Sequence, residues 1–281
     1  MFQRVGVVGC GLMGSGIAQV CGQAELDVIV VEANPHVAEA GRARLAASLA
    51  KAQERGKVES AQAVLDRIEV TADIERLHDR EIVIEAIAEM AAAKTALFKR
   101  LDELVEAPDA ILASNTSSIP ISTIAAATKR PEFVMGVHFF NPVPVLTLVE
   151  LVPSLLTSPE TVERARAFAA DQLGKHPITA PDRSGFVVNA LLVPFVLSAI
   201  RMLESGVATA EDIDEGLVRG AAHPQGPLAL ADLIGLDTMV SIAESLYDEF
   251  KEPTYAAPPL LRRMVEAGLL GRKSGRGFYT Y

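Results

Sequence analysis

Residues 4–25, RVGVVGCGLMGSGIAQVCGQAE, set a short β-branched run against a glycine-rich turn and then a helix-forming stretch. The turn is Gly9-Cys10-Gly11-Leu12-Met13-Gly14, a GxGxxG pattern. Alone the pattern is common. Between a strand and a helix it reads as the turn that receives a dinucleotide pyrophosphate. Gly9 allows the tight turn, Gly11 lets the backbone approach the phosphates, and Gly14 lets helix and strand pack closely. The helix N-terminus then offers unpaired amides to the anion.

The next run, DVIVVEAN (27–34), ends at Glu32, eighteen residues after Gly14. A carboxylate there can accept a bond from a ribose 2′-hydroxyl and would repel a 2′-phosphate, so the expected cofactor is NAD. Asn34 followed by Pro35 predicts a helix start, and a helix over 35–56. Its Ser48, Lys51 and Arg55 are three or four residues apart and share one side. Strands are expected at 68–72, 81–87, 110–115 and 133–139, with a helix around 91–105. This alternation predicts an α/β fold built on a parallel, Rossmann-type doubly wound sheet. Ligands in such sheets lie at the carboxyl ends of the strands. Glu89 with Lys94, the run Ser114-Asn115-Thr116-Ser117-Ser118, and His138 with Asn141 all fall at those ends.

The stretch VMGVHFFNPVPVLTLVELV (134–152) is apolar except for His138, Asn141 and Glu150. Asn141-Pro142-Val143-Pro144 is turn chemistry. If the chain folds back antiparallel there, positions whose numbers sum to 288 face one another, and His138 meets Glu150. Their even spacing keeps both side chains on one face. A carboxylate on one imidazole nitrogen fixes the tautomer and leaves the other as a base. A core histidine beside an unrelated edge carboxylate is the bland alternative.

After Gly185 the pattern becomes helical, so two domains are expected, 1–183 and 184–281, the second all-α. Residues 186–206 are apolar on most faces, as in a central or interface helix, and contain Pro194. Thr209 is placed to cap 210–220, and helices are expected within 228–250 and 258–268. The terminal GRKSGRGFYTY looks flexible.

Composition bounds the function. Hydrophobic residues make up 49%, charged residues 22%, and the net charge is −10. No basic stripe is present, so nucleic acid is not an expected partner. The two cysteines, Cys10 and Cys21, form no CxxC pair, and His36, His78, His176 and His223 show no ligand spacing, so no metal is expected. No basic-then-apolar leader or eighteen-residue apolar span is visible, which points to a cytoplasmic protein and no membrane partner.

Six stretches resemble, in order, the L-3-hydroxyacyl-CoA dehydrogenase family, with bacterial 3-hydroxybutyryl-CoA dehydrogenases the nearest group. They are GVVGCGLMGSGIAQ, ASNTSSI, HFFNPVPVLTLVEL, GFVVNALL, HPQGPLALADLIGLD and GRKSGRGFYTY. The resemblance implies NAD as cofactor and an acyl-CoA thioester as substrate. It implies His138 as the catalytic histidine, Glu150 as its partner, and Ser117 and Asn189 as supports of the substrate's 3-oxygen. Cofactor contacts fall on the glycine loop with Leu12 and Met13, and on Glu32, Glu89, Lys94, Ser117, Asn141 and Lys273. Ser48, with Lys51 or Arg55, matches the CoA-binding positions, and Ser117 also belongs to the substrate set. A homodimer through the helical domain is implied. The chain departs from the family pattern at Ala190, where an arginine is frequent, and at Ser184, where a proline is. Two rival readings stand beside this one: an NAD enzyme of small hydroxy acids or sugar acids, and an NAD-binding protein without catalysis.

Overall fold

Short β-branched runs separated by helices leave each strand apolar on both faces, because helices cover both sides of a parallel sheet. In a computed structural model that describes all residues, Met1–Tyr281, β1 (Arg4–Val8), β2 (Asp27–Val31) and β4 (Ile82–Glu85) follow that rule. Apart from the exposed first residues of β1 and β2, all of their residues are buried. The chain divides into two compact units, Met1–Asp182 and Arg183–Tyr281.

In the first unit the glycine turn leads from β1 into α1 (Leu12–Gln23). After β2 comes α2 (Pro35–Glu54), started by Asn34, whose Oδ1 accepts from the Val37 amide at 3.0 Å. Next are α3 (Ala61–Leu65), β3 (Ile68–Thr71), β4, α4 (Ala91–Leu104), β5 (Ile111–Ser114), α5 (Ile121–Ala125) and β6 (Val134–Phe139). The unit ends with β7 (Leu148–Pro153), α6 (Pro159–Ala167) and β8 (His176–Thr179). The eight strands run β3-β2-β1-β4-β5-β6-β7-β8. From β3 to β6 all neighbours are parallel; β7 is antiparallel to β6 and parallel to β8. The strand order reverses between β1 and β4, where such sheets open a crevice for ligands. Val5, Val7, Val28, Val30, Ile82 and Ile84 form the centre of the core with Ile17 and Leu45 from the helices.

Three helices of this unit, α3, α5 and α6, carry no long apolar period and escape a periodicity reading. Local caps start two of them: Ser60 accepts from the Ala63 amide, and Ser158 from the Thr161 amide.

The second unit contains α7 (Val188–Glu204), α8 (Ala210–Gly220), α9 (Pro227–Ile234), α10 (Leu236–Phe250) and α11 (Pro259–Glu266). Thr209 caps α8 as its sequence suggests, accepting from the Asp212 amide at 3.1 Å. Val196, Leu197, Ile200, Leu228, Met239, Leu246 and Leu261 are buried at its centre. The apolar run 228–250 is divided at Gly235, whose φ of +102° separates α9 from α10. The terminal stretch is ordered where the sequence looked flexible. The buried Asp232 carboxylate accepts from the amides of Phe278 (3.0 Å) and Tyr279 (2.9 Å) and from the Tyr281 hydroxyl (3.1 Å). No helix of the chain is long and apolar enough to cross a membrane.

Candidate active site

The three glycines of the β1–α1 turn have different surroundings. Gly9 has φ +95°, and a Cβ there would lie 2.6 Å from the Ala86 carbonyl oxygen. A Cβ on Gly14 would overlap the carbonyl oxygen of Gly9. At Gly11 a Cβ would meet nothing within 4 Å. The fold needs Gly9 and Gly14, while the open space at Gly11 leaves room for a ligand to lie on the backbone. A cavity of about 650 Å³ opens at this place, lined by Gly9, Gly11, Glu32, Ala86 and Leu97 among others. The N-terminus of α1 has no side-chain cap, so its first amides remain available to an anion. These features fit a dinucleotide.

Glu32 stands at the cavity wall, just past β2, with Oε1 accepting from the Cys10 amide at 2.5 Å and Oε2 from the Ala33 amide at 3.0 Å. Leu12, the first residue of α1, is exposed beside the turn, and Met13 is half-buried.

His138 and Glu150 face one another across the β6–β7 pair. Imidazole Nδ1 and carboxylate Oε2 are 2.8 Å apart, and the side chains are 8% and 0% exposed. A carboxylate acceptor requires the proton on Nδ1. The Phe140 ring meets the imidazole edge-on, centroids 4.6 Å apart. Between the strands lies the turn with Asn141, whose bond to Pro142 is cis. Lys175 secures that turn, Nζ donating to the carbonyls of Val143 (2.6 Å) and Leu146 (2.8 Å). Burial holds the Lys175 ammonium below its ordinary value, against an opposing effect of Cys21.

Ser117 follows β5 in the run whose hydrogen bonds converge on Glu89. That carboxylate accepts from the Thr116 hydroxyl, the Ser117 amide (3.1 Å) and the Ser118 hydroxyl (3.0 Å). Glu89 lies beyond the end of β4, not on the strand, because β4 stops at Glu85. Burial alone would raise the Glu89 carboxyl, but Lys94 and these donors outweigh it and hold it below the usual range. Lys94 is 1% exposed, and its Nζ bonds Glu85 at 2.7 Å and Glu89 at 2.9 Å. Two residues before Ser117, Asn115 accepts from the Phe139 amide at 2.8 Å and so joins β5 to the residue after His138.

On α2, Ser48 Oγ donates to Gln19 Oε1 of α1 at 2.6 Å. Lys51 and the C-cap residue Arg55 are exposed on the same side. Asn189 and Lys273 belong to the second unit. Asn189 is half-buried in the first turn of α7, and Lys273 Nζ reaches both carboxylate oxygens of Asp237.

Two family models cover the chain: the 3-hydroxyacyl-CoA dehydrogenase NAD-binding domain matches residues 4–183, and the C-terminal domain of the same family matches residues 185–281. The chain belongs to the 3-hydroxyacyl-CoA dehydrogenase family. It is 56% identical over 281 residues to a 3-hydroxybutyryl-CoA dehydrogenase of Mycobacterium tuberculosis, covering 99% of this chain and 98% of the relative. Among solved structures it is similar to FadB2 of M. tuberculosis, with a TM-score of 0.98 and 56% identity over 100% of this chain and 99% of the other. It is also similar to (S)-3-hydroxybutyryl-CoA dehydrogenase PaaH1 of Ralstonia eutropha, with a TM-score of 0.94, 45% identity, and coverage of 100% and 99%. The protein is an NAD-dependent oxidoreductase of this family.

Two residues of the site carried no motif. Glu85 is completely buried and accepts from Lys94, from the Ser114 hydroxyl (2.6 Å) and from the Ile87 amide (2.7 Å). A carboxylate closing an otherwise apolar strand is the signal that could have marked it, since burying such a group requires partners. Lys175 gave no signal at all.

Proposed function

We propose that the protein oxidises (S)-3-hydroxyacyl-CoA to 3-ketoacyl-CoA with NAD, and catalyses the reverse, with short acyl chains such as 3-hydroxybutyryl as substrates. The buried His138–Glu150 contact carries this reading. A substrate 3-hydroxyl hydrogen-bonded to His138 Nε2 gives up its proton to that nitrogen. The imidazolium formed is stabilised by Glu150, which also keeps the ring from turning. NAD, when bound, accepts the hydride from C3. Ser117 orients the substrate oxygen, and Asn189 has the same part. In the reverse direction His138 returns the proton to the ketone oxygen.

The glycine loop (Gly9, Gly11, Leu12, Met13, Gly14) would hold the cofactor's diphosphate, and Glu32 the adenosine ribose. Glu89, Ser117 and Asn141 would hold the nicotinamide half, with Lys94 acting through Glu89, and Lys273 completes the set. The CoA moiety lies along Ser48, Lys51 and Arg55. The working form is a homodimer through the helical unit, in the cytoplasm.

The test is NADH consumption, followed by absorbance, with acetoacetyl-CoA and with free acetoacetate. Fast loss with the thioester alone is expected. Equal rates with the free acid, or no loss with either, would overturn the thioester reading.

A further inference from the structure

Cys10, inside the glycine loop, is held from two sides by opposite charges. Its amide donates to Glu32 Oε1 at 2.5 Å, and its carbonyl accepts from Arg44 Nη1 at 2.6 Å. Both charges also act on its thiol: burial pushes that thiol up to about 11, Glu32 adds to the rise, and Arg44 opposes it. Arg44 lies on α2 one turn before Ser48, and Ser48 bonds Gln19 of α1. This side of α2 is therefore the one packed towards the glycine turn and the helix it starts. Arg42, two residues earlier, lies 3.9 Å from Glu39 and donates to the Val70 carbonyl. No carboxylate is paired with Arg44, which is exposed and donates to one carbonyl.

We infer that Arg44 forms the positive wall of the cofactor's diphosphate cradle, offsetting the Glu32 carboxylate that grips the same residue. This rests on the reading that the diphosphate lies at the N-terminus of α1. A carboxylate that accepts from a ribose hydroxyl discriminates against a 2′-phosphate, but it also sets a negative charge close to a diphosphate carrying two more. The chain as a whole adds nothing to relieve this, with a net charge of −10. A guanidinium anchored on the loop carbonyl does so locally. It has five N–H donors in a planar fork that matches phosphate oxygens, and the Cys10 carbonyl engages one of its nitrogens. Glu32 thus sets the selectivity and Arg44 restores the affinity.

The test compares dissociation constants of ADP, adenosine and NADH for the wild type, Arg44→Gln and Arg44→Lys, at low and at high salt. Glutamine keeps a donor for the loop carbonyl and removes the charge. Arg44→Gln is expected to weaken ADP and NADH by about fivefold at low salt, less at high salt, and to leave adenosine unchanged. Arg44→Lys should retain most of the affinity. Equal weakening of adenosine would make Arg44 only a strut for the loop, and unchanged ADP binding would remove it from the cradle; either result overturns the inference. A wild type that binds ADP no more tightly than adenosine would overturn the placing of the diphosphate itself.

Discussion

Glu150 is wholly buried, and a carboxylate withdrawn from water persists in a fold when hydrogen bonds compensate it. Its imidazole partner lies twelve residues earlier, and the turn between them holds the register that brings the two together. This pair was legible because a turn signal at Asn141-Pro142 combined with period-two geometry sets the facing positions. Glu85 was not legible. In EIVIEAI it reads as a polar strand end, and only the pairing of Glu85 with Ser114 across β4 and β5, with Lys94 above, shows that it is an interior group. The dyad reading predicts that His138→Gln lowers kcat by roughly 100- to 10,000-fold, the contribution of a positioned general base. NADH affinity, measured by fluorescence, should stay near that of the wild type. Turnover within tenfold of wild type, or a parallel loss of NADH binding, would remove His138 from the proton transfer.

At the scale of elements, β1, α1 and β2 were evident from glycine placement and β-branching, and the antiparallel return of β7 from a single turn. Helices α3, α5 and α6 were missed because capping and tertiary packing form them, not amphipathic period. The 228–250 run concealed the break at Gly235, since leucines and alanines continue across it and only a positive φ marks the division. In the β5–α5 loop carrying Ser117, the Thr116 hydroxyl, the Ser117 amide and the Ser118 hydroxyl all donate to Glu89, so the order of this loop should depend on pH. The folded-state carboxyl of Glu89 is held below its unfolded value, about 4.3. The stability it contributes is therefore present above that unfolded value and lost as pH falls through the lower, folded one. At pH 7, Glu89→Gln should unfold about 2–4 °C below the wild type, the shift given by ~1 kcal/mol in a chain of this size. Scanning calorimetry towards pH 3 should show the gap closing. A gap independent of pH would mean that the carboxylate charge does not hold the loop.

For the whole molecule, two units with separate cores follow from two sequence patterns, strand–helix alternation to the 180s and helical periodicity thereafter. The apolar character of 186–206 suggested a helix covered on nearly all sides. The structure buries Val193, Val196, Leu197, Ala199 and Ile200 of α7 in its own unit but leaves Leu191 73% and Met202 45% exposed. Sequence periodicity cannot distinguish an apolar face buried within a chain from one buried against another, because both exclude water by the same means. The proposed homodimer gives those side chains a partner. Sedimentation should then yield about twice the chain mass of 29.9 kDa. Leu191→Glu, which sets a charge into the apolar contact, should shift the population towards the single-chain mass while leaving the circular dichroism of the fold unchanged. A wild type sedimenting as one chain would refute the dimer. A Leu191→Glu protein that stays dimeric would place the interface away from the first turns of α7.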